Sequence, residues 1–257
     1  MEEKISYNQY AMQQNKRILC TRPIEQALIT KAAEKNIDIT VLPFIDIKKL
    51  QSPVFKEQLI FLALQKINVV FTSVHAVESV AMNITIKPSW KISCIGGVTK
   101  EAVIKYFGET CLEVTSRNAS ALARKIIDKG GTKEVFFFCG DQRLDDLPET
   151  LRANNIRVQE IIAYQTLQTP HEVDEDYDGV MFFSPTAVNS FFSMNTVRTD
   201  VVLFSIGKTT TGSIHTYCTN KVVTSEWPGQ ENLVDKVTEY FYVNGENVIT
   251  NQDVRNS

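Results

Sequence analysis

The chain has 257 residues, enough for one large domain or two of ordinary size, with 43% hydrophobic against 22% charged residues. Lys and Arg number 27 and Asp and Glu 30, and the net charge of -3 excludes the broad basic excess of a nucleic-acid binder. No apolar run reaches the roughly 18 residues of a membrane span, and the polar start "MEEKISYNQYAMQQNKR" is unlike a secretory signal. Five cysteines, odd in number and widely spaced, fit reduced thiols in a cytoplasmic protein better than a disulfide framework.

In chain order, short apolar strands are predicted near 17–21, 38–42, 69–72, 91–95, 111–115, 134–139, 158–163, 179–183, 202–206 and 221–224. Helices fill most of the gaps, a last one runs over about 230–242, and the polar tail 244–257 reads as disordered. Strands that are apolar almost throughout, alternating with helices, predict parallel sheets covered on both faces.

Two phrases repeat. "VVFTSVHAV" (69–77) and "VMFFSPTAV" (180–188) align at a shift of 111, which pairs Phe71 with Phe182, Ser73 with Ser184 and Val77 with Val188. The same shift pairs Ile95-Gly96 with Ile206-Gly207, Thr99 with Thr210 and Leu122 with Leu233. A looser echo at 118 or 119 relates 17–43 to 135–162, each with a strand, a polar turn, a helix, an Asn-Ile junction and a second strand. Leu28, Ala32 and Ala33 form the apolar stripe of the first of these helices, and Leu144, Leu147 and Leu151 that of the second. This is the pattern of an internal duplication, and it predicts two doubly wound α/β domains with a cleft between them.

Ligands of parallel sheets bind at the C-terminal strand ends. Polar residues gather there: Thr21-Arg22-Pro23, Thr72-Ser73, Gly96 to Thr99, Gly140-Asp141, Ser184-Pro185-Thr186 and Gly207 to Thr211. Each group opens a helix, whose unpaired N–H groups and partial positive charge suit an anion. For any one loop, plain N-capping by Ser, Thr or Asp is the readier explanation. Their recurrence at six strand ends favours binding.

Sharper motifs fall away. "IGKTTT" has Val202 where a P-loop needs its first glycine, and "HEVDE" at 171 has Glu175 in place of a second zinc histidine. No Cys-x-x-Cys pair occurs, so no metal is expected. Tyr164 follows an apolar strand and opens the polar stretch "YQTLQTPHEVDEDYDG"; it either aims its hydroxyl into a cleft or braces a linker. His75, just inside a helix start, reads as a surface or capping residue rather than a base, and Asp145-Asp146 read as first-turn acids.

Together these phrases resemble the uroporphyrinogen-III synthase family over roughly residues 17–242. The resemblance rests on Thr21-Arg22-Pro23 closing a strand, Phe71 to Val77, Ile95 to Lys100, then Gly140, Arg143 and Leu147. Tyr164-Gln165-Thr166 follow, and "FSPTAV" and "IGKTTT" complete the order. The chain departs from the family pattern at His75, Cys139, Lys100 and Thr211. The resemblance implies two flavodoxin-like doubly wound parallel-sheet domains joined by two extended linkers. Residues 1–43 with 170–257 would form one domain and 48–162 the other, with linkers at about 44–47 and 163–169.

It also implies a cofactor-independent lyase that closes hydroxymethylbilane to uroporphyrinogen III, inverting ring D and losing water. Tyr164 is the implied proton donor. The implied substrate contacts are Thr21, Arg22, Thr72, Ser73, Gly96, Thr99, Gly140, Arg143, Ser184, Thr186, Gly207, Lys208 and Thr210. A handover of substrate from porphobilinogen deaminase and a monomeric state are further expectations, with neither nucleic acid nor membrane as partner. The competing expectation is a diverged two-domain protein that binds an anion without turning it over, and a weaker one is a sugar or phosphate sensor.

Overall fold

The computed structural model describes residues 15–227 and 229–253, with side chains as far as Tyr242. The elements begin with β1 (Lys16–Cys20), α1 (Gln26–Ala33), β2 (Ile37–Val41), β3 (Ile45–Lys49), α2 (Pro53–Ala63), β4 (Asn68–Phe71) and α3 (Val74–Ala81). There follow β5 (Lys91–Ile95), α4 (Val98–Phe107), a 3-10 turn (Glu109–Cys111), β6 (Leu112–Ser116), α5 (Ala119–Lys129), β7 (Glu134–Gly140), α6 (Asp146–Ala153) and β8 (Arg157–Gln168). The chain ends with β9 (Gly179–Phe182), α7 (Pro185–Phe192), β10 (Val202–Ser205), α8 (Lys208–His215), β11 (Val222–Thr224) and α9 (Gln230–Asp253). The last helix runs past residue 242, where the apolar spacing ends it, and 254–257 lie outside the described residues.

The chain folds into two compact units, one taking the residues up to Asp46 and from Gln168 onward, the other Ile47–Leu167. The first unit holds a parallel sheet in the order β2-β1-β9-β10-β11. The second holds β3-β8-β7-β4-β5-β6, parallel from β8 to β6. Apart from the added edge strand β3, the two orders are the same once β7 and β8 are matched with β1 and β2, and β4, β5 and β6 with β9, β10 and β11. Each sheet therefore takes its strands from both copies of the duplicated sequence. The two alignment shifts have the same origin. The first copy carries β3 and α2 between β2 and β4, whereas the second passes directly from β8 to β9.

The strands bury both faces because their apolar residues run on without alternation. In β4, Val69 and Phe71 pack with α2, α3 and α4 through Leu59, Val77 and Val103, while Val70 packs with α5 and α6 through Leu122 and Leu151. In the first unit Ile18, Met181 and Phe204 meet α1 and α9, and Leu19, Phe182 and Leu203 meet α7 and α8. Phe71, Phe138, Phe182 and Phe204 are fully buried, each contributing roughly 2–3 kcal/mol by transfer from water. The repeated Asn-Ile junction is a helix stop. Asn36 and Asn155 take φ of 57° and 61°, a left-handed turn that asparagine tolerates, and the chain then enters β2 and β8.

The segments 44–47 and 163–169, expected as connectors, lie largely in β3 and β8, which are neighbours in the second sheet. They are extended, but as paired strands. β3 is the edge strand of that sheet, and the last residues of β8 run on beyond Gly140 at the end of β7, which accounts for their mixed polar composition.

Candidate functional site

In the second unit the geometry turns on a bulge. Along β7 and β8 the register runs Cys139 to Ile162 and then Gly140 to Tyr164, so β8 carries one extra residue, Ala163, at the C-terminal end of the sheet. Such irregularities re-aim a side chain. Here Tyr164 lies on Gly140: a Cβ at that position would sit 2.5 Å from the tyrosine Cζ and 2.8 Å from its hydroxyl. Only glycine leaves room for the ring. The displaced Ala163 is fully buried, and its carbonyl accepts from the Leu50 N–H and from the Ser79 hydroxyl.

Three further contacts fix Tyr164, two on its side chain and one on its backbone. Ser73 is the N-cap of α3, its hydroxyl accepting from the His75 N–H at 3.2 Å, and it hydrogen-bonds Tyr164. The His75 ring packs edge-on to the Tyr164 ring, with centroids 5.6 Å apart. The Asp141 N–H donates to the Tyr164 carbonyl at 3.2 Å, while the Asp141 carboxylate accepts from the Thr166 N–H at 2.9 Å. Burial pushes the Tyr164 phenol above its ordinary value of 10, and the Ser73 hydrogen bond only partly offsets this. At neutral pH the group is a neutral phenol, able to donate a proton and held at the sheet edge.

The remaining predicted contacts of this unit divide. Thr72 and Ser73 are part-buried at the end of β4. The Gly96 N–H is committed to the Ser116 carbonyl at 2.8 Å, and Gly97, at φ 64°, makes the turn into α4. Thr99 is only 2% exposed, in the first turn of α4. Arg143 is already paired with Glu160 and with Asp145. Burial pushes the Glu160 carboxyl up, but bonds from Arg143 and Arg152 together hold it below the usual range. Arg143 thus links β8, through Glu160, to the loop before α6, through Asp145.

In the first unit Thr21 is fully buried and its hydroxyl donates to the Met181 carbonyl at 2.7 Å, tying β1 to β9. Thr210 is 3% exposed. Arg22 is exposed, with its guanidinium 5.1 Å from the Phe183 ring centroid. Ser184 caps α7, accepting from the Ala187 N–H at 3.2 Å, and Thr186 is part-buried in the first turn. Gly207 precedes α8 with extended backbone, and Lys208 is exposed at its first position. Ser205, Thr211 and Thr224 form a hydroxyl cluster just beneath, Thr211 lying 2.6 Å from Ser205 and 2.7 Å from Thr224.

Sequence reasoning missed two participants. Phe183 falls opposite Thr72 in the duplicated alignment, and that mismatch inside an otherwise shared phrase was the available signal. The β8 bulge leaves no mark in composition.

Two cavities lie elsewhere. One of about 350 Å³ is lined by Ile84, Lys87, Lys105 and Tyr106, and one of about 130 Å³ by Tyr177, Phe191 and Arg198; neither includes a predicted site residue. Burial pushes the thiols of Cys20 and Cys94 up to about 11 and that of Cys139 to about 12, so these are not thiolates at neutral pH. Among the described residues no group of three His, Cys, Asp or Glu could hold a metal ion, and no helix is long and apolar enough to cross a membrane.

The fold has solved counterparts. A uroporphyrinogen-III synthetase from Helicobacter pylori superposes with a TM-score of 0.63 at 12% identity, covering 88% of this chain and 99% of that one. A mutant uroporphyrinogen III synthase from Thermus thermophilus gives 0.56 at 14% identity, covering 88% and 97%. At such identities the likeness shows the fold. No curated protein sequence matches the chain. The HEM4 family model, described as uroporphyrinogen-III synthase HemD, matches residues 26–235. That span contains the repeated phrases, the Tyr164 site and nearly all of both sheets, and the chain belongs to the uroporphyrinogen-III synthase family.

Proposed function

We propose that the protein closes hydroxymethylbilane to uroporphyrinogen III as a lyase that uses no cofactor. The family match over residues 26–235 carries this reading, and the seating of Tyr164 supports it. The substrate brings its own leaving group, the hydroxyl on ring A. Tyr164 gives that hydroxyl a proton as it departs as water, leaving an azafulvene cation. The cation attacks the substituted carbon of ring D to form a spiro-pyrrolenine, which fragments and recloses through the other ring D carbon. The proton released on rearomatisation returns the tyrosine to its starting state, so the net change is loss of one water.

Unaided, the substrate cyclises to the type I isomer. The protein's work is therefore mainly to hold the chain in the shape that leads to inversion, a matter of positioning. Each unit offers strand–helix junctions that suit carboxylates: Thr72, Ser73 and the turns at Gly96 and Gly140 in the second, and Arg22, Ser184, Thr186, Gly207 and Lys208 in the first. Backbone N–H groups at the helix starts supply the remaining donors. The α/β architecture, the absence of a membrane-crossing helix among the described residues and the acidic balance fit an enzyme acting in the cytoplasm.

The test is a coupled assay in which porphobilinogen deaminase supplies hydroxymethylbilane and the oxidised products are resolved as isomers. Type III uroporphyrin is expected to dominate when the protein is added, and Tyr164→Phe to slow its formation roughly tenfold or more. Type I product unchanged by the wild-type protein would overturn the reading.

A further inference from the structure

Arg17, Arg143, Arg152, Arg157 and Arg198 each face a carboxylate. Arg22, Arg117 and Arg124 face none among the described residues, and of these three Arg22 is the one that lies over an aromatic ring, exposed just beyond β1. Two contacts hold it instead. Its Nε donates to the Pro23 carbonyl at 3.2 Å, and its guanidinium carbon stands 5.1 Å from the centroid of the Phe183 ring. With Nε committed and the ring beneath, the edge formed by Nη1 and Nη2 remains, which is the fork that takes a carboxylate through two parallel bonds. Phe183 is itself anchored, packing against the core cluster that includes Ile18, Cys20 and Met181.

The surroundings add to the same charge. β9 lies between β1 and β10, with Cys20 beside Met181 and Met181 beside Phe204. The residues just beyond these strands therefore share one edge: Arg22, then Phe183 and the capped start of α7 at Ser184, then Lys208 opening α8. In the duplicated alignment Phe183 faces Thr72, so the aromatic platform exists in one copy only. That asymmetry suits a substrate whose rings must enter in one direction.

We propose that Phe183 is a positioning residue that makes Arg22 a preorganised receptor for one carboxylate of the tetrapyrrole. The inference rests on the functional reading above. A guanidinium laid on a ring has lost part of its rotamer freedom before binding, so less is lost when the carboxylate arrives. Phe183 thus acts on substrate affinity through Arg22 and leaves the proton transfer at Tyr164 untouched.

The test is a double-mutant cycle in the coupled assay. Phe183→Leu is expected to raise KM for hydroxymethylbilane roughly threefold to tenfold with little change in kcat, and Phe183→Trp, which keeps a ring face, to restore it. Arg22→Gln should raise KM at least as far, and adding Phe183→Leu to it should change nothing more. Additive effects, or a Phe183→Leu enzyme with wild-type KM, would overturn the inference. Fluorescence titration with uroporphyrin, an octacarboxylate, repeats the cycle without turnover. Coupling in this titration from a protein that forms no type III product refutes the function and keeps the receptor; turnover without coupling does the reverse. Should Phe183→Leu fail to fold, Arg22→Gln and Phe183→Trp decide: unchanged affinity in Arg22→Gln removes the receptor.

Discussion

Tyr164 shows how much of a site can depend on a neighbour with no side chain. Its ring occupies the space that a Cβ on Gly140 would need, 2.5 Å from Cζ, and the β8 bulge brings the two residues face to face. Gly140→Ala therefore forces the phenol off the sheet edge. A displacement of even an ångström in a catalytic group is expensive, up to about a hundredfold in rate. The expected outcome is a kcat close to that of Tyr164→Phe, with little change in KM. Gly212→Ala is the control: nothing lies within 4 Å of a Cβ there, and its kcat should match the wild type. Activity should also hold across neutral and mildly alkaline pH, because burial raises the Tyr164 pKa above 10 and the proton is retained until higher pH. Steady-state rates against pH check this, and a loss of activity below pH 10 that Tyr164→Phe abolishes would contradict it. Sequence alone pointed to the tyrosine but left its role open, since a half-buried aromatic is a common brace. The contacts with Gly140, Ser73 and His75 lie far apart in the chain, at separations no local pattern encodes.

At the scale of elements, the capping serines raise the question of whether they serve the helix or the ligand. Asn118 gives the comparison, since it caps α5 by accepting from the Ala121 N–H at 2.9 Å and no substrate role is assigned to it. Asn118→Ala and Ser184→Ala should each cost about 1 kcal/mol in chemical unfolding. Only Ser184→Ala should also raise KM, and equal KM values would reduce Ser184 to a cap. The elements were largely legible in the sequence. Apolar runs such as those ending at Phe71 and Phe182 locate buried parallel strands because both faces are covered. β3 was missed because an edge strand alternates polar with apolar residues and resembles a connector, and β8 was cut short because its last residues run on beyond the end of β7 and are polar. Thr21, Thr99 and Thr210 were legible as strand-end hydroxyls, but burial depends on the helices packed over them and cannot be read from the strand alone.

For the whole molecule, duplication of one βα pattern has produced two sheets of the same order, each assembled from both copies of the sequence. The repeat keeps a helix start at equivalent strand ends, and divergence then differentiates them. One copy received Ser73 and His75 beside the Tyr164 phenol, the other Phe183 beneath Arg22. This division fits the proposed reaction, which needs one proton donor and several anion contacts rather than a dense set of catalytic groups. It also explains why no single motif identified the chemistry: the information is spread over short phrases more than a hundred residues apart.

On the proposed function the protein turns over a linear tetrapyrrole and does not merely bind it. The most direct measurement is isomer composition over time with hydroxymethylbilane in large excess over protein. Type III product accumulating to many equivalents per protein molecule is the predicted result. Type I product throughout, or type III limited to a single equivalent, would contradict it.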